Sequence, residues 1–180
     1  MTFFKPQFVI AACSVLLPVH SLAADVTSKI DAVMPKVVEW RRDFHQHPEL
    51  SNQEFRTAKI VADHLRSLGM EVETEVAHTG VVGTLRGGDG PVVALRADMD
   101  GLPVTELVDL PFASKARGMY QGREVGVMHA CGHDGHTTML LGAAKYLAEK
   151  GNFDGTINFI FQPAEENEGG GKVMVEDGLF

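Results

Sequence analysis

One ten-residue stretch carries more reactive side chains than any other part of this chain: Met128-His129-Ala130-Cys131-Gly132-His133-Asp134-Gly135-His136-Thr137. It combines one thiol, three imidazoles and one carboxylate, which are the groups that bind first-row divalent metals. Two glycines interrupt the stretch. We therefore predict a tight turn that directs several of these side chains at one point.

Cys131 and His133 are the metal ligands that this turn favours. One glycine separates them, so both side chains can face the same ion, which would hold the thiol as a thiolate. Two other interpretations stay open: a packed thiol beside a surface histidine, and a nucleophilic Cys131 paired with His133 or His136. We expect Asp134 and His136 to support the ligands or the turn, and the spacing assigns no role to His129.

A second polar cluster follows an apolar run: Gln162-Pro163-Ala164-Glu165-Glu166-Asn167-Glu168. Adjacent residues in a loop can point to different sides, so one carboxylate of the Glu165-Glu166 pair can bind metal while the other handles protons. Metal-assisted hydrolysis needs both groups: a carboxylate ligand, and a general base for the attacking water. The alternative is a solvated acidic loop.

Asp98 and Asp100 form a third polar group, where another apolar run ends. They occupy alternate positions, which places both on one side of an extended chain. Ligating imidazoles usually donate their other N–H to a carboxylate, so one of these acids can orient a metal-binding histidine. Alternatively, Arg96 pairs with them in a purely structural salt bridge.

Hydrophobic periodicity predicts helices and strands that alternate along the chain. Apolar residues at three- and four-residue steps predict three helices, over residues 26–46, 51–68 and 137–149. Alternating or continuous apolar runs predict four strands, over residues 71–76, 80–85, 91–96 and 156–161. This order favours an α/β sandwich with helices on the faces of the sheet.

Local signals predict how these elements begin, end and pack. Ser51 and Glu54 have the form of a capping box at the start of the second helix. Gly69 is placed to end that helix, and its apolar face includes Phe55. The glycine-rich residues 87–90 predict a hairpin turn between the second and third strands.

The three polar clusters share a position relative to the predicted sheet. The acids follow strands directly, and the cysteine-histidine turn directly precedes a helix. In open α/β sheets, ligands bind in the crevice beyond the carboxyl ends of the strands. The clusters therefore predict one site at that edge.

The first 23 residues are predicted to be a secretory signal peptide. A weakly basic start, an apolar run of about a dozen residues and the small residues of Ser21-Leu22-Ala23 fit this pattern. Cleavage leaves residues 24–180, with Cys131 as the single cysteine, in the periplasm or the medium. The alternative is a lipoprotein anchored at Cys13, because the residues before it resemble a lipoprotein cleavage box.

Charge and hydropathy limit the possible partners. The net charge is −8 and the basic residues are scattered, so the chain lacks the basic patch of a nucleic-acid-binding protein. No run after the leader reaches the length of about 20 apolar residues that a bilayer span requires. We therefore expect no nucleic acid and no membrane span.

Four ordered motifs resemble the N-acyl amino acid amidohydrolases, a group within the carboxypeptidase G-like metallopeptidases that includes hippurate hydrolases, auxin-conjugate hydrolases and N-acetyl-diaminopimelate deacetylases. The motifs are Arg41-Arg42-Asp43-Phe44-His45-Gln46-His47-Pro48-Glu49-Leu50, Arg96-Ala97-Asp98-Met99-Asp100-Gly101-Leu102-Pro103, the 128–137 stretch, and Gln162-Pro163-Ala164-Glu165-Glu166. The resemblance implies the three-layer α/β sandwich of the zinc-dependent exopeptidases. It also implies a small-molecule substrate, an N-acylated amino acid whose amide bond is hydrolysed.

The same resemblance implies a role for each principal site residue. Cys131 would bridge two divalent metal ions, His133 would bind one of them and Glu166 the other. Glu165 would be the catalytic general base that activates the attacking water. Zinc or manganese are the expected metals, with cobalt or nickel also compatible with a cysteine bridge.

The chain departs from this family in two respects. Arg96 stands where more distant relatives have a ligand histidine, so Asp98, which orients that histidine there, is expected only to support the site, as is Asp100. The family also supplies two further histidine ligands and a dimerisation or lid domain that this sequence does not contain. We therefore expect residues 24–180 to be the N-terminal part of an incomplete catalytic domain, inactive alone, from a protein that is a homodimer when complete.

Two rival functions remain open at this stage. A metallo-dipeptidase or carboxypeptidase would use the same site, and a substrate panel would separate it from an amidohydrolase. A truncated, non-catalytic remnant would keep metal-binding residues without chemistry, and metal content together with Glu165→Gln would identify it.

Overall fold

A computed structural model describes the backbone of residues 19–180 and the side chains of residues 26–180 except Lys150. The predicted signal peptide, residues 1–23, lies outside these ranges apart from its last backbone residues. The alternative lipid anchor at Cys13 lies outside them as well. Both stay predictions.

Helices and strands alternate along the described chain, as the periodicity predicts. The helices are α1 (Val19–Gln46), α2 (Phe55–Ser67), α3 (His133–Lys150) and α4 (Gly170–Glu176). The strands are β1 (Glu71–Val76), β2 (Gly80–Arg86), β3 (Val92–Asp98), β4 (Arg117–Tyr120), β5 (Arg123–Gly126) and β6 (Thr156–Gln162). No helix in the part of the chain that the structure describes is long and apolar enough to cross a bilayer.

The main sheet is mixed, with strand order β1-β2-β6-β3. β6 runs antiparallel to β2 and parallel to β3, so the predicted hairpin between β2 and β3 is wrong. The glycine-rich loop at 87–90 instead pairs with the loop that precedes β6: Gly87 and Gly88 donate their N–H groups to the Gly155 carbonyl, at 2.8 and 3.2 Å. The glycines indicate a turn, but the strand that lies between β2 and β3 is β6, which begins 58 residues after the end of β3.

Helices cover both faces of this sheet, which confirms the α/β sandwich. α2 packs on β1 and β2, α3 packs on β3, and α1 packs on α3. The main core lies between these helices and the sheet, and its largest fully buried members are Phe44, Leu65, Leu141, Phe159 and Phe161. A smaller cluster around Met174 of α4 covers the opposite face.

The start of α2 differs from the predicted capping box. Ser51 lies four residues before the first residue of α2, and its hydroxyl donates to the Asp100 carboxylate at 2.7 Å. Glu49 caps α2 instead, because its carboxylate accepts the N–H groups of Arg56 and Thr57 at 2.9 and 2.8 Å. The prediction that Gly69 follows the end of α2 is confirmed, with φ +79°.

The core placement of Phe55 is also wrong. Phe55 is the first residue of α2 and its side chain is 68% exposed, whereas the buried face of the helix is formed by Thr57, Val61, Ala62 and Leu65. Phe55 fits the apolar periodicity of α2, but its side chain lines an open cavity at the start of the helix and does not pack on the sheet.

Two phenylalanines therefore test the position of the core. Phe44→Ala removes a fully buried ring, and we expect the free energy of unfolding to fall by about 3–5 kcal/mol. Phe55→Ala is the matched control, with an expected change within about 0.5 kcal/mol. Urea unfolding of the complete protein measures both, and equal losses for the two variants would contradict this core.

Candidate metal centre

A left-handed glycine brings Cys131 and His133 together. Gly132 has φ +92°, a conformation that L side chains rarely adopt, and it directly precedes α3. The helix begins at His133, four residues earlier than predicted, so this imidazole is fixed by the first helical turn. The His133 ring is buried, while Cys131 is an exposed free thiol.

Glu166 joins this pair from the end of β6. One ligand atom each from Cys131, His133 and Glu166 lies within 4.8 Å of the others. Oε1 of Glu166 is buried and has no hydrogen-bond partner among the described residues. A thiol, an imidazole and an unpaired carboxylate oxygen that converge in this way fit a divalent cation.

Asp100 connects the two halves of this ligand set. His133 donates its Nδ1–H to the Asp100 carbonyl at 2.9 Å and also lies 3.2 Å from Oδ1, which leaves Nε2 free to bind an ion. The other carboxylate oxygen, Oδ2, accepts the backbone N–H of Glu166 at 3.0 Å. One buried residue therefore orients the imidazole, through its carbonyl and its carboxylate, and positions the loop that carries the acids.

The environment of Asp100 keeps this carboxylate ionised. Its burial alone would raise its pKa, but hydrogen bonds from His133, Ser51 and the backbone N–H groups of Glu166 and Glu165 outweigh burial and lower the pKa to about 2.

The site as a whole favours positive charge. The Glu166 carboxylate, partial burial and the neighbouring acids raise the pKa of the Cys131 thiol. Burial of His133 would lower its pKa, but Asp100 and Asp98 raise it overall. A cation among these groups would relieve the repulsion between the acids and would favour the thiolate.

Glu165 lies beside Nε2 of His133, as Glu166 does, but the side chain of Glu165 is more exposed to solvent. Glu165 Oε2 and Glu166 Oε1 are each 3.7 Å from His133 Nε2. The side chain of Glu165 is 42% exposed and that of Glu166 is 14% exposed. Glu166 is therefore the more buried of the two carboxylates, and Glu165 is the one that solvent reaches more readily. The assignment of Glu166 as a ligand and Glu165 as the base stays a prediction.

Asp98 also approaches His133 and has several partners. Its carboxylate pairs with Arg96 at 2.7 Å, accepts Nδ1–H of His136 at 2.7 Å, and lies 3.6 Å from His133 Nε2. Asp98 thus makes the salt bridge with Arg96, whereas the Nδ1–H of His133 goes to Asp100. The role of Asp98 in supporting the site stays a prediction. Asp98, His133 and His136 form a second group whose ligand atoms all lie within 4.8 Å.

Asp134 faces away from the ligand cluster. Its carboxylate lies 2.7 Å from Nδ1 of His45 and 3.1 Å from Nε of Arg41. The other His45 nitrogen lies 3.1 Å from the buried Glu106, which also accepts the backbone N–H of Ser114. This buried network anchors α3 directly behind His133, so Asp134 supports the turn rather than the ligands.

Several supporting residues were missed by sequence reasoning. They are His45, Ser51, Glu54 and Glu106, each distant in sequence from the group it holds. His45 carried a signal because it lies inside the first motif, and Ser51 and Glu54 stood out only as a capping box. His129 keeps no assigned role: its burial lowers its pKa to about 4, and neither ring nitrogen has a partner among the described residues.

Comparisons with known proteins agree with this architecture. The family model for peptidase family M20/M25/M40 matches residues 94–180. The hippurate hydrolase of Campylobacter jejuni is 53% identical over 141 residues, which cover 78% of this chain and 34% of that protein. Thermostable carboxypeptidase 1 of Saccharolobus solfataricus is 48% identical over 165 residues, covering 87% of this chain and 40% of the relative.

A solved structure extends the match to three dimensions. The YXEP protein of Bacillus subtilis, described as a dinuclear metal-binding peptidase of the M20 family, superposes with a TM-score of 0.74 and 42% identity. The match covers 83% of this chain and 40% of that one. The chain belongs to the M20 peptidase family and spans little more than a third of the curated relatives it matches.

Asp100→Asn tests the connection between the two ligand halves. The variant keeps the shape of the side chain but turns an N–H₂ group towards donors such as the Glu166 N–H, so we expect metal affinity to fall by about 10–100-fold. Ser51→Ala is the matched control, because it removes one bond to the same carboxylate without touching His133 or Glu166. A zinc competition titration of the complete protein measures both, and unchanged affinity in Asp100→Asn would remove Asp100 from this role.

Proposed function

We propose that this chain contributes the N-terminal part of a metal-dependent amidohydrolase that cleaves the amide bond of N-acyl amino acids. The convergence of Cys131, His133 and Glu166, with the exposed Glu165 beside them, carries this proposal. The hippurate hydrolase relative supports the substrate class, since hippurate is an N-acyl amino acid.

The chain's own residues divide the chemistry between them. Two divalent ions held by Cys131, His133 and Glu166 would supply Lewis-acid activation of water and of the acyl carbonyl. Glu165 then accepts the proton of the attacking water and returns it to the leaving amine. Asp100 keeps Nε2 of His133 directed at the centre while this happens.

A carboxypeptidase is the second candidate, supported by the Saccharolobus relative. Both reactions hydrolyse an amide bond next to a carboxylate-bearing residue, so the same ligands and base serve either. Hippurate and N-acetyl amino acids, compared with dipeptides, separate the two when offered to the complete protein.

Compartment and assembly are part of the same proposal. A leader at residues 1–23 would export the enzyme to the periplasm or the medium, and the complete protein would act as a homodimer. Zinc or manganese would be the bound metals. N-terminal sequencing of the mature protein tests export, and a diacyl-cysteine at residue 13 would support the lipoprotein instead.

Adjacent glutamates offer a direct test of the proposed mechanism. In the complete protein, Glu165→Gln should lower kcat by about 10²–10⁴-fold while retaining bound metal, because only the general base is lost. Glu166→Gln should instead lose metal, because it removes a ligand. Metal analysis and hippurate hydrolysis measure the two effects.

Full activity in Glu165→Gln would exclude Glu165 as the base. Hydrolysis of hippurate by the isolated 180-residue chain would overturn the proposal that it supplies only part of the site.

A further inference from the structure

The backbone directly before Glu165 has a conformation that needs support. Ala164 has φ +51°, which is the left-handed region that L residues other than asparagine and aspartate rarely adopt. The residue is fully buried, so water does not solvate its N–H group. The direction in which Glu165 and Glu166 leave the sheet depends on this one residue.

A buried carboxylate from a distant part of the chain supplies that support. Oε1 of Glu54 accepts the N–H of Ala164 at 2.8 Å, and Oε2 accepts the hydroxyl of Thr79 at 2.5 Å. Glu54 is fully buried, and burial raises its pKa although both hydrogen bonds oppose the rise. An ionisable group in such a position is costly unless it is paired.

The ordinary explanation of an acid at this position is a helix cap, and the geometry does not fit it. Glu54 is the residue directly before α2, yet its side chain makes no capping hydrogen bond. The first amides of α2 are satisfied by Glu49 instead. The carboxylate of Glu54 is therefore committed to the loop that carries the acids and to the turn between β1 and β2.

The segment around Glu54 also contacts the other half of the site. Ser51 donates to Asp100, and the Gly101 N–H donates to the Glu49 carbonyl at 2.7 Å. The connection between α1 and α2 thus touches both the Asp100 strand end and the Glu165-Glu166 loop. This connection can therefore set the distance between Asp100 and the Glu165-Glu166 loop.

We propose that Glu54 is a positioning residue of the metal centre: its carboxylate holds Ala164 in the left-handed conformation that directs Glu165 and Glu166 at His133. The inference rests on the proposed function, because it assigns Glu54 a role only through those two carboxylates. It implies that loss of the Glu54–Ala164 hydrogen bond changes metal binding and kcat, not stability alone.

Variants of the two hydrogen bonds separate this role from a purely structural one. Glu54→Ala and the milder Glu54→Asp both withdraw the acceptor from the Ala164 N–H. Thr79→Val is the matched control, because it removes the other buried bond of Glu54 and leaves the bond to Ala164 in place. Glu54→Gln keeps an amide oxygen for Ala164 and can donate to the Thr79 hydroxyl.

The measurements are zinc affinity, kcat and the urea midpoint of the complete protein. In Glu54→Asp, and in Glu54→Ala where it folds, we expect zinc affinity to fall by about 10–100-fold and kcat to fall more than KM changes. Thr79→Val should lower the urea midpoint and leave zinc affinity unchanged. Glu54→Gln should retain a zinc affinity close to that of the unmodified protein.

Two results would contradict the inference. Unchanged zinc affinity in Glu54→Asp would show that the loop keeps its direction without this carboxylate. If zinc affinity falls in both Thr79→Val and Glu54→Asp, and each fall is proportional to the fall in the urea midpoint of that variant, Glu54 acts through stability alone. Glu166→Gln separates failure of this inference from failure of the proposed function. Normal zinc affinity in that variant would refute the assignment of Glu166 as a metal ligand.

Discussion

The contact of one aspartate with two elements determines the geometry of the whole site. Asp100 receives the imidazole N–H of His133 on one side and the backbone N–H of Glu166 on the other. His133 belongs to the start of α3, and Glu166 follows β6, so neither element sets their separation by itself. Because Asp100 lies just beyond the end of β3, the parallel pairing of β3 with β6 is what brings all three to one edge of the sheet.

Around this contact the protein concentrates negative charge and compensates it locally. Arg96 pairs with Asp98 and Arg41 pairs with Asp134, so each of these two acids has a cationic partner. Glu165 and Glu166 have no comparable basic partner in the described part of the chain other than His133. A bound cation would supply the counter-charge for these two glutamates.

Much of the fold was predictable because its signals are local. Periodicity located the principal helices and strands, and the left-handed Gly132 agrees with the tight turn expected from its neighbours. The strand order was not predictable from the glycines at 87–90, since β6 enters between β2 and β3 from far along the chain. Phe55 fits the apolar period but lies beyond the edge of the core, which no periodicity reveals.

The candidate site, like the fold, was only partly predictable from the sequence. Cys131, His133 and Glu166 stand out by residue type and spacing, and the structure brings them together. Ser51 and Glu54 have the pattern of a capping box in sequence, and Glu106 shows no pattern, because their partners in the site are placed beside them only by the folded chain. Buried acids of this kind are recognised by their hydrogen bonds and not by a motif.

X-ray absorption at the zinc edge of the zinc-loaded complete protein shows whether Cys131 and His133 bind metal together with Glu166, in a site that Asp100 assembles. A thiolate ligand scatters at about 2.3 Å, beyond the nitrogen and oxygen shell. We expect a sulfur contribution that disappears in Cys131→Ser. A shell of nitrogen and oxygen alone in the unmodified protein would refute metal binding by Cys131.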